Sequence, residues 1–181
     1  MADFDFSRAF QPGKRSDPRT FQIALALVAL GDAVRLTALG QLSGPAWFVV
    51  LVLLAFALSN RLRDAGRATV LAILPIGVAI LAKTVGAVIA FTAALYPDFL
   101  AFLERRGVDL NDPAAMQAAA WDSEIQAAYE SHLQNSPELL ASLMTAGDWP
   151  STWAFWLVIA VFAFYWSRWP SRPYAIRGGR G

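Results

Sequence analysis

Three charged side chains stand inside apolar stretches of this sequence: Asp32 and Arg35 in one, Lys83 in another. A charge placed in hydrocarbon costs at least a few kcal/mol, so it is seldom idle. Asp32 and Arg35 are three residues apart, which on a helix puts them on one face within ion-pairing reach. Counted from helix starts near Phe21 and Ala68, Asp32 lies ~16 Å deep, Arg35 ~21 Å and Lys83 ~22 Å at helical rise. The three can therefore meet at similar depth as an intramembrane polar cluster. Two roles fit such a cluster. One is a proton or ion relay, or an anion-binding spot; the other is an interhelical clasp, or cations snorkelling outward. A relay is poorly supplied without a second carboxylate or an intramembrane histidine, so the clasp or snorkel is the preferred reading.

Elsewhere the residue types offer little chemistry. His132 is the single histidine, with Asp122, Glu124 and Glu130 nearby in sequence. A metal site needs three or four converging ligands, so a solvated helix face is expected there instead. There is no cysteine, hence no disulfide and no thiolate nucleophile or metal ligand. Any hydroxyl-His-acid triad would have to pass through His132, and no glycine-rich phosphate loop is present. The sequence thus assigns no catalytic, cofactor or metal residues, and it predicts a protein that is not an enzyme.

The elements that position the three charges are membrane spans. Apolar residues make up 56% of the 181-residue chain and charged residues 16%, well below the roughly 25% charged of a soluble domain. Crossing ~30 Å of hydrocarbon takes about 20 helical residues, and four segments meet or approach that. They are about 21–39, 45–59, 68–95 and 151–167. The first follows Pro18, which suits a first helical turn. The second is short, with Trp47 at its headgroup boundary. The third is overlong, and Pro75 and Gly77 predict a tilt or kink. The fourth has Trp149, Trp153 and Trp156 towards one end and Tyr165, Trp166 and Trp169 at the other, the two-ended aromatic placement of a spanning helix. The fold class is therefore an all-α integral membrane protein, with four transmembrane helices and a helical periplasmic insertion between the third and fourth.

Basic residues sort to one side. The tail 1–20 holds Arg8, Lys14, Arg15 and Arg19, the second connection holds Arg61, Arg63 and Arg67, and the tail 168–181 holds Arg168, Arg172, Arg177 and Arg180. A four-pass chain puts all three segments on one face, which the positive-inside rule makes cytoplasmic. With arginine far outnumbering lysine and alanine abundant, this points to a bacterial inner membrane with both termini cytoplasmic. The basic residues are expected to meet anionic lipid headgroups rather than nucleic acid.

The remaining segment, 96–150, has nine acids against Arg105 and Arg106, a formal charge of −7 with His132 neutral. Asn111 or Asp112 before Pro113 predicts a helix start. Trp121, Ile125, Ala128, Tyr129, His132 and Leu133 then recur as one apolar stripe. Ser136-Pro137-Glu138 predicts another start, with Leu139, Leu140, Leu143 and Met144 on one face and Gly147 as its stop. A small helical cap on the bundle or in the headgroups is one reading. A docking surface for another membrane subunit, through Trp121, Ile125, Tyr129, Leu140 and Leu143, is compatible with it. The tail from Arg177 to Gly181 is expected to fray.

The connection Asn60-Arg61-Leu62-Arg63-Asp64-Ala65-Gly66-Arg67, followed by an apolar span, resembles the signature of a bacterial inner-membrane family known as domain of unknown function 805. That family's loop reads Arg-Leu-His-Asp-x-Gly, often continuing Ser-Gly-Trp. Arg61, Leu62, Asp64 and Gly66 match; Arg63 replaces the histidine, and Ala68-Thr69-Val70 replaces Ser-Gly-Trp. Gly13-Lys14-Arg15 with Arg19-Thr20-Phe21 resembles the family's entry into its first span at slightly longer spacing. The resemblance covers roughly residues 10–95 and weakly the fourth span, so 96–150 would be an insertion. It implies a small polytopic inner-membrane protein and supplies no reaction. On physical grounds Asp64 can cap the third span or neutralise Arg61, Gly66 permits a tight turn, and the remaining cations face phosphates. The function expected is a structural or accessory component of a membrane complex. The alternative is a small transporter or channel subunit using Asp32, Arg35 and Lys83.

Overall fold

The computed structural model describes residues 5–39 and 43–172, and these are helical with no strand among them. The order is α1 (Phe6–Phe10), α2 (Pro18–Ala38), α3 (Ser43–Asp64), a 3-10 turn (Thr69–Ala72), α4 (Ile73–Arg105), α5 (Pro113–Trp121), α6 (Ser123–Gln134), α7 (Pro137–Ala146) and α8 (Asp148–Ser167). Four helical stretches are long and apolar enough to cross a membrane: Pro18–Ala38, Gly44–Asp64, Thr69–Arg105 and Pro137–Ser167. Large apolar side chains lie exposed along them, including Leu30, Phe48, Ile73, Leu81, Ile89 and Leu157. Water would not tolerate that much continuous apolar surface, whereas acyl chains are a matching solvent. The chain is a membrane protein.

Two compact units divide it. Met1–Leu81 with Phe155–Gly181 form the first, and Ala82–Ala154 the second, so α4 and α8 each pass through both. The first unit's core is built around Phe21, Leu54, Leu58, Leu62, Phe155 and Ile159. Ala24, Ala57, Ala79 and Ala163 join it, small residues that let helices approach closely where lipid gives no hydrophobic push. The second unit's core gathers Phe102, Leu103, Ala119 and Tyr129, with Phe99, Ile125 and Leu133 around them. In that unit α4 and the start of α8 also touch through small residues: a Cβ added at Gly86 would lie 3.2 Å from the Ala154 methyl, and one at Gly147 would lie 3.2 Å from the Ala87 carbonyl oxygen.

Local chemistry sets the helix ends. Asp17 caps α2, its carboxylate accepting from the Arg19 and Thr20 N–H groups at 3.0 Å, with Pro18 at the first helical position. Burial pushes the Asp17 carboxyl up, but the bonds from the Thr20 N–H, the Thr20 hydroxyl and the Arg19 N–H outweigh it and hold the group below its ordinary value. Asp112 caps α5 and Asp122 caps α6 in the same way. α3 closes on Gly66 at φ +68°, where Arg67 N–H reaches the Leu62 carbonyl at 2.8 Å and Gly66 N–H reaches that of Arg63 at 3.1 Å. That left-handed closure satisfies carbonyls the helix itself cannot.

Several sequence expectations change. The second span is not short: α3 has 22 residues, because Asn60 to Asp64 are its last turn rather than a loop. Pro75 falls in the first turn of α4, where a missing N–H costs nothing, so the cause expected for a kink there is absent. The proline interior to α4 is Pro97, since the helix runs on past Leu95 to Arg105. The stripe from Trp121 to Leu133 is split by Asp122, which ends α5 and starts α6, and Trp121 is left 79% exposed. Leu143 is buried, whereas Leu140 and Met144 are exposed. The expected fraying from Arg177 onward, and Gly40 to Leu42 of the first turn, lie outside the described residues.

Candidate functional site: a helix end that caps two other helices

The last turn of α3 carries Asn60, Arg61 and Asp64, all buried, at a place where other helices end. The last carbonyls of any helix lack donors of their own, and away from water they must find them elsewhere. Arg61 supplies them to α8. Its Nε and Nη2 donate to the Trp166 carbonyl at 3.1 and 3.0 Å, and Nη2 also donates to the Trp169 carbonyl. The guanidinium's remaining edge donates from Nη1 to Asp64 Oδ2 at 2.7 Å. The Arg61 side chain is 0% exposed, so each of these bonds counts at low dielectric.

Asn60 does the same for α1. Its amide Nδ2 donates to the carbonyls of Arg8, Ala9 and Gln11 at 3.1, 3.1 and 2.9 Å. With two hydrogens for three acceptors, at least one hydrogen is shared. The Asn60 carbonyl in turn accepts from Ser16 N–H at 3.2 Å. Asp64 completes the arrangement: its carboxylate accepts from the Ser171 hydroxyl as well as from Arg61, and its carbonyl accepts from Arg172 N–H at 2.9 Å and Arg15 Nη2 at 3.3 Å. Arg15 Nε stands 3.9 Å from Asp64 Oδ1. Both ends of the described chain are thus fastened to one helical turn.

Of the two roles expected for Asp64, the structure shows the neutralisation of Arg61, which is enclosed by protein carbonyls and Asp64. Arg63 is half-buried. Arg67 lies over the Trp169 ring at 5.2 Å and Arg168 over the Phe164 ring at 4.0 Å. Trp166 is buried and stacks on the half-buried Trp169 at 5.7 Å, so these two indoles pack beside the clasp.

The charges within the spans have defined partners. Arg35 Nε donates to Asp32 Oδ1 at 2.7 Å, and both residues are buried. The second oxygen, Oδ2, accepts from the Trp156 indole N–H at 2.8 Å, joining α2 to α8 within the first unit. Arg35 is only three residues from the end of α2, near the boundary of the span rather than its middle. Lys83 lies in the second unit, where its ammonium donates to the Ser151 hydroxyl at 3.1 Å and the Thr152 hydroxyl at 3.2 Å, in the first turns of α8.

His132 is not on a solvated face among its sequence neighbours. Its Nε2 stands 3.4 Å from Asp98 Oδ2, and its ring stacks on Phe102 at 5.6 Å. The same Asp98 oxygen accepts from the Tyr129 hydroxyl at 3.0 Å. Burial, then the bond to Asp98 and its charge, push the Tyr129 hydroxyl above its ordinary value. Among the described residues no group of three or more acidic or histidine side chains is arranged to hold a metal. No family model matches the chain, and neither does any curated protein or solved structure.

Three residues that matter here were missed by sequence reasoning: Asn60, Trp156 and Ser171. Trp156 gave a usable signal, because an indole well inside a span must find an acceptor. Asn60 gave a weaker one, as an amide at the end of an apolar run.

Removing one partner of the buried ion pair leaves the other uncompensated. We expect Arg61→Met to lower unfolding stability in detergent by about 3–5 kcal/mol. Arg61→Lys, with one nitrogen in place of the fork, should lose about 1–3 kcal/mol. Thermal or denaturant unfolding of the two variants checks the order; equal stability of all three proteins would refute it.

Proposed function

We propose that this chain is a non-catalytic, four-pass protein of a bacterial inner membrane, a structural or accessory component of a larger membrane complex with both termini in the cytoplasm. The observation that carries the reading is the commitment of the intramembrane charges. Asp32 has both carboxylate oxygens engaged, by Arg35 and Trp156, and Lys83 is held by two hydroxyls. Groups that relay ions must exchange partners, whereas these are arranged as cross-links. The transporter alternative would need Asp32 to leave a buried ion pair and an indole at once.

The acidic 96–150 segment supports the accessory role. Trp121 at 79% exposure and Met144 at 71% are the most exposed of its large apolar side chains, and tryptophan is a frequent anchor of interfaces. Kinship with domain of unknown function 805 is part of the same proposal. It is supported by what Arg61, Asp64 and Gly66 do here: two hold a clasp and the third closes the turn beside it.

Purification of the chain from its own membrane in mild detergent should bring down a stoichiometric partner. Trp121→Ser, at a side chain that supports no core, should release that partner while leaving the melting temperature unchanged. Purification alone, with ion or solute flux in liposomes abolished by Asp32→Asn, would overturn the accessory reading.

Orientation is open to a clean labelling test, because the chain has no cysteine. A cysteine at exposed Gln117 (Gln117→Cys) should react with an impermeant maleimide added outside intact spheroplasts. One at Ala68 (Ala68→Cys) should react only after permeabilisation. The reverse pattern would invert the topology.

A further inference from the structure

Four span ends gather at one end of the first unit. α3 ends at Asp64 and α8 at Ser167, α2 begins at Pro18, and the 3-10 turn before α4 begins at Thr69. Segments 5–20, 60–72 and 165–172 hold nine basic residues there against three acids. Each acid is already engaged within the protein. Asp5 caps α1 and pairs with Arg8, Asp17 caps α2, and Asp64 neutralises Arg61. The cations in excess have no protein countercharge at this end among the described residues.

Two of these cations are placed by glycines. Gly13 adopts φ +88°, and a Cβ added to it would press on Arg63 Nη1 at 3.3 Å. Glycine serves there both for the left-handed backbone and for the room. Arg63 Nη1 is enclosed without an acceptor, and among the described residues no hydrogen bond or ion pair engages the rest of its guanidinium. Gly66, at φ +68°, acts similarly for Arg172, since any Cβ would overlap the Arg172 guanidinium. Arg172 is exposed, and its backbone N–H shares one acceptor, the Asp64 carbonyl, with Arg15 Nη2. Arg67, also exposed, lies over the Trp169 ring at 5.2 Å. A half-buried guanidinium without a partner costs free energy unless an anion meets it, and arginines drawn together repel one another.

We propose that these arginines bind the phosphate of an anionic membrane lipid at the end of α3, with Arg63 and Arg172 as its chief contacts. Lipid phosphates lie at the depth where spans leave hydrocarbon, and basic sites between helix ends take up such headgroups. The planar guanidinium fork suits a phosphate in two-point contact, which an ammonium does not give. The glycine turns hold both arginines without using their donors, so the headgroup meets them preorganised. The lipid contact expected of the basic residues is thereby narrowed to named side chains. It rests on the four-span reading, and neither the accessory role nor the orientation enters it.

The test is native mass spectrometry of the full chain, stripped of lipid in mild detergent, with palmitoyl-oleoyl phosphatidylglycerol or phosphatidylcholine added back. Wild type should retain the anionic lipid roughly tenfold better than the zwitterionic one. Arg63→Gln and Arg172→Gln should each weaken phosphatidylglycerol retention about fivefold, the contribution of one basic residue at an anionic surface. Arg63→Gln should leave the melting temperature in lipid-free detergent unchanged, because no described residue bonds that guanidinium. Arg105→Gln, an equal change of charge in the second unit, should retain lipid as wild type does. Equal retention of the two lipids, undiminished retention by either arginine variant, or the same loss from Arg105→Gln would overturn the proposal. Displacement of the lipid by millimolar inorganic phosphate would overturn the lipid assignment and make a free anion the occupant.

Discussion

Every helix ends with carbonyls that have no donor inside the helix, and a bundle facing lipid has little water to give them. α8 ends at Ser167 and α1 at Phe10, both against the last turn of α3. What that turn offers is donors without matching acceptor demands. The Arg61 fork covers the carbonyls of Trp166 and Trp169, and the Asn60 amide covers those of Arg8, Ala9 and Gln11. A buried guanidinium would be intolerable alone. Asp64, one helical turn on, supplies the countercharge and ties in Ser171, Arg172 and Arg15. Charge, helix dipole and hydrogen-bond accounting thus meet in five residues. An arginine at the end of a helix is favourable both for the carbonyls it caps and for the negative pole they form.

The same logic runs through the other polar contacts. Asp32 and Arg35 cancel one another on α2 and leave an oxygen for Trp156 of α8. Lys83 of α4 is bound by hydroxyls at the start of α8. In the second unit, Asp98 of α4 takes the Tyr129 hydroxyl of α6, and His132 lies beside it. Each contact links a long apolar helix to another segment of the chain. Apolar packing in lipid is non-specific about rotation and register, so a few directional bonds decide which faces meet.

Much of this was legible in the sequence. The four apolar segments, the Asp112-Pro113 and Ser136-Pro137 helix starts, and the three-residue spacing of Asp32 and Arg35 are all local patterns. What was hidden is long-range. Nothing periodic links Arg61 to Trp166 or Asp32 to Trp156, more than a hundred positions apart. The polarity of Asn60-Arg61-Leu62-Arg63-Asp64 reads as a loop because charged residues usually seek water or headgroups. Here other helix ends stand in for water, and the helix continues. Trp121 was misplaced for the opposite reason: its apolar spacing fitted a stripe, but Asp122 turns its carboxylate onto the Glu124 N–H and restarts the helix.

The central claim is that one turn of α3 caps α1 through Asn60 and α8 through Arg61. Hydrogen–deuterium exchange resolved along the chain in detergent tests it most directly. The account predicts that Asn60→Ala raises exchange in residues 8–16 while leaving 166–172 protected, and that Arg61→Met does the reverse. Unchanged protection of both segments in both variants would contradict it.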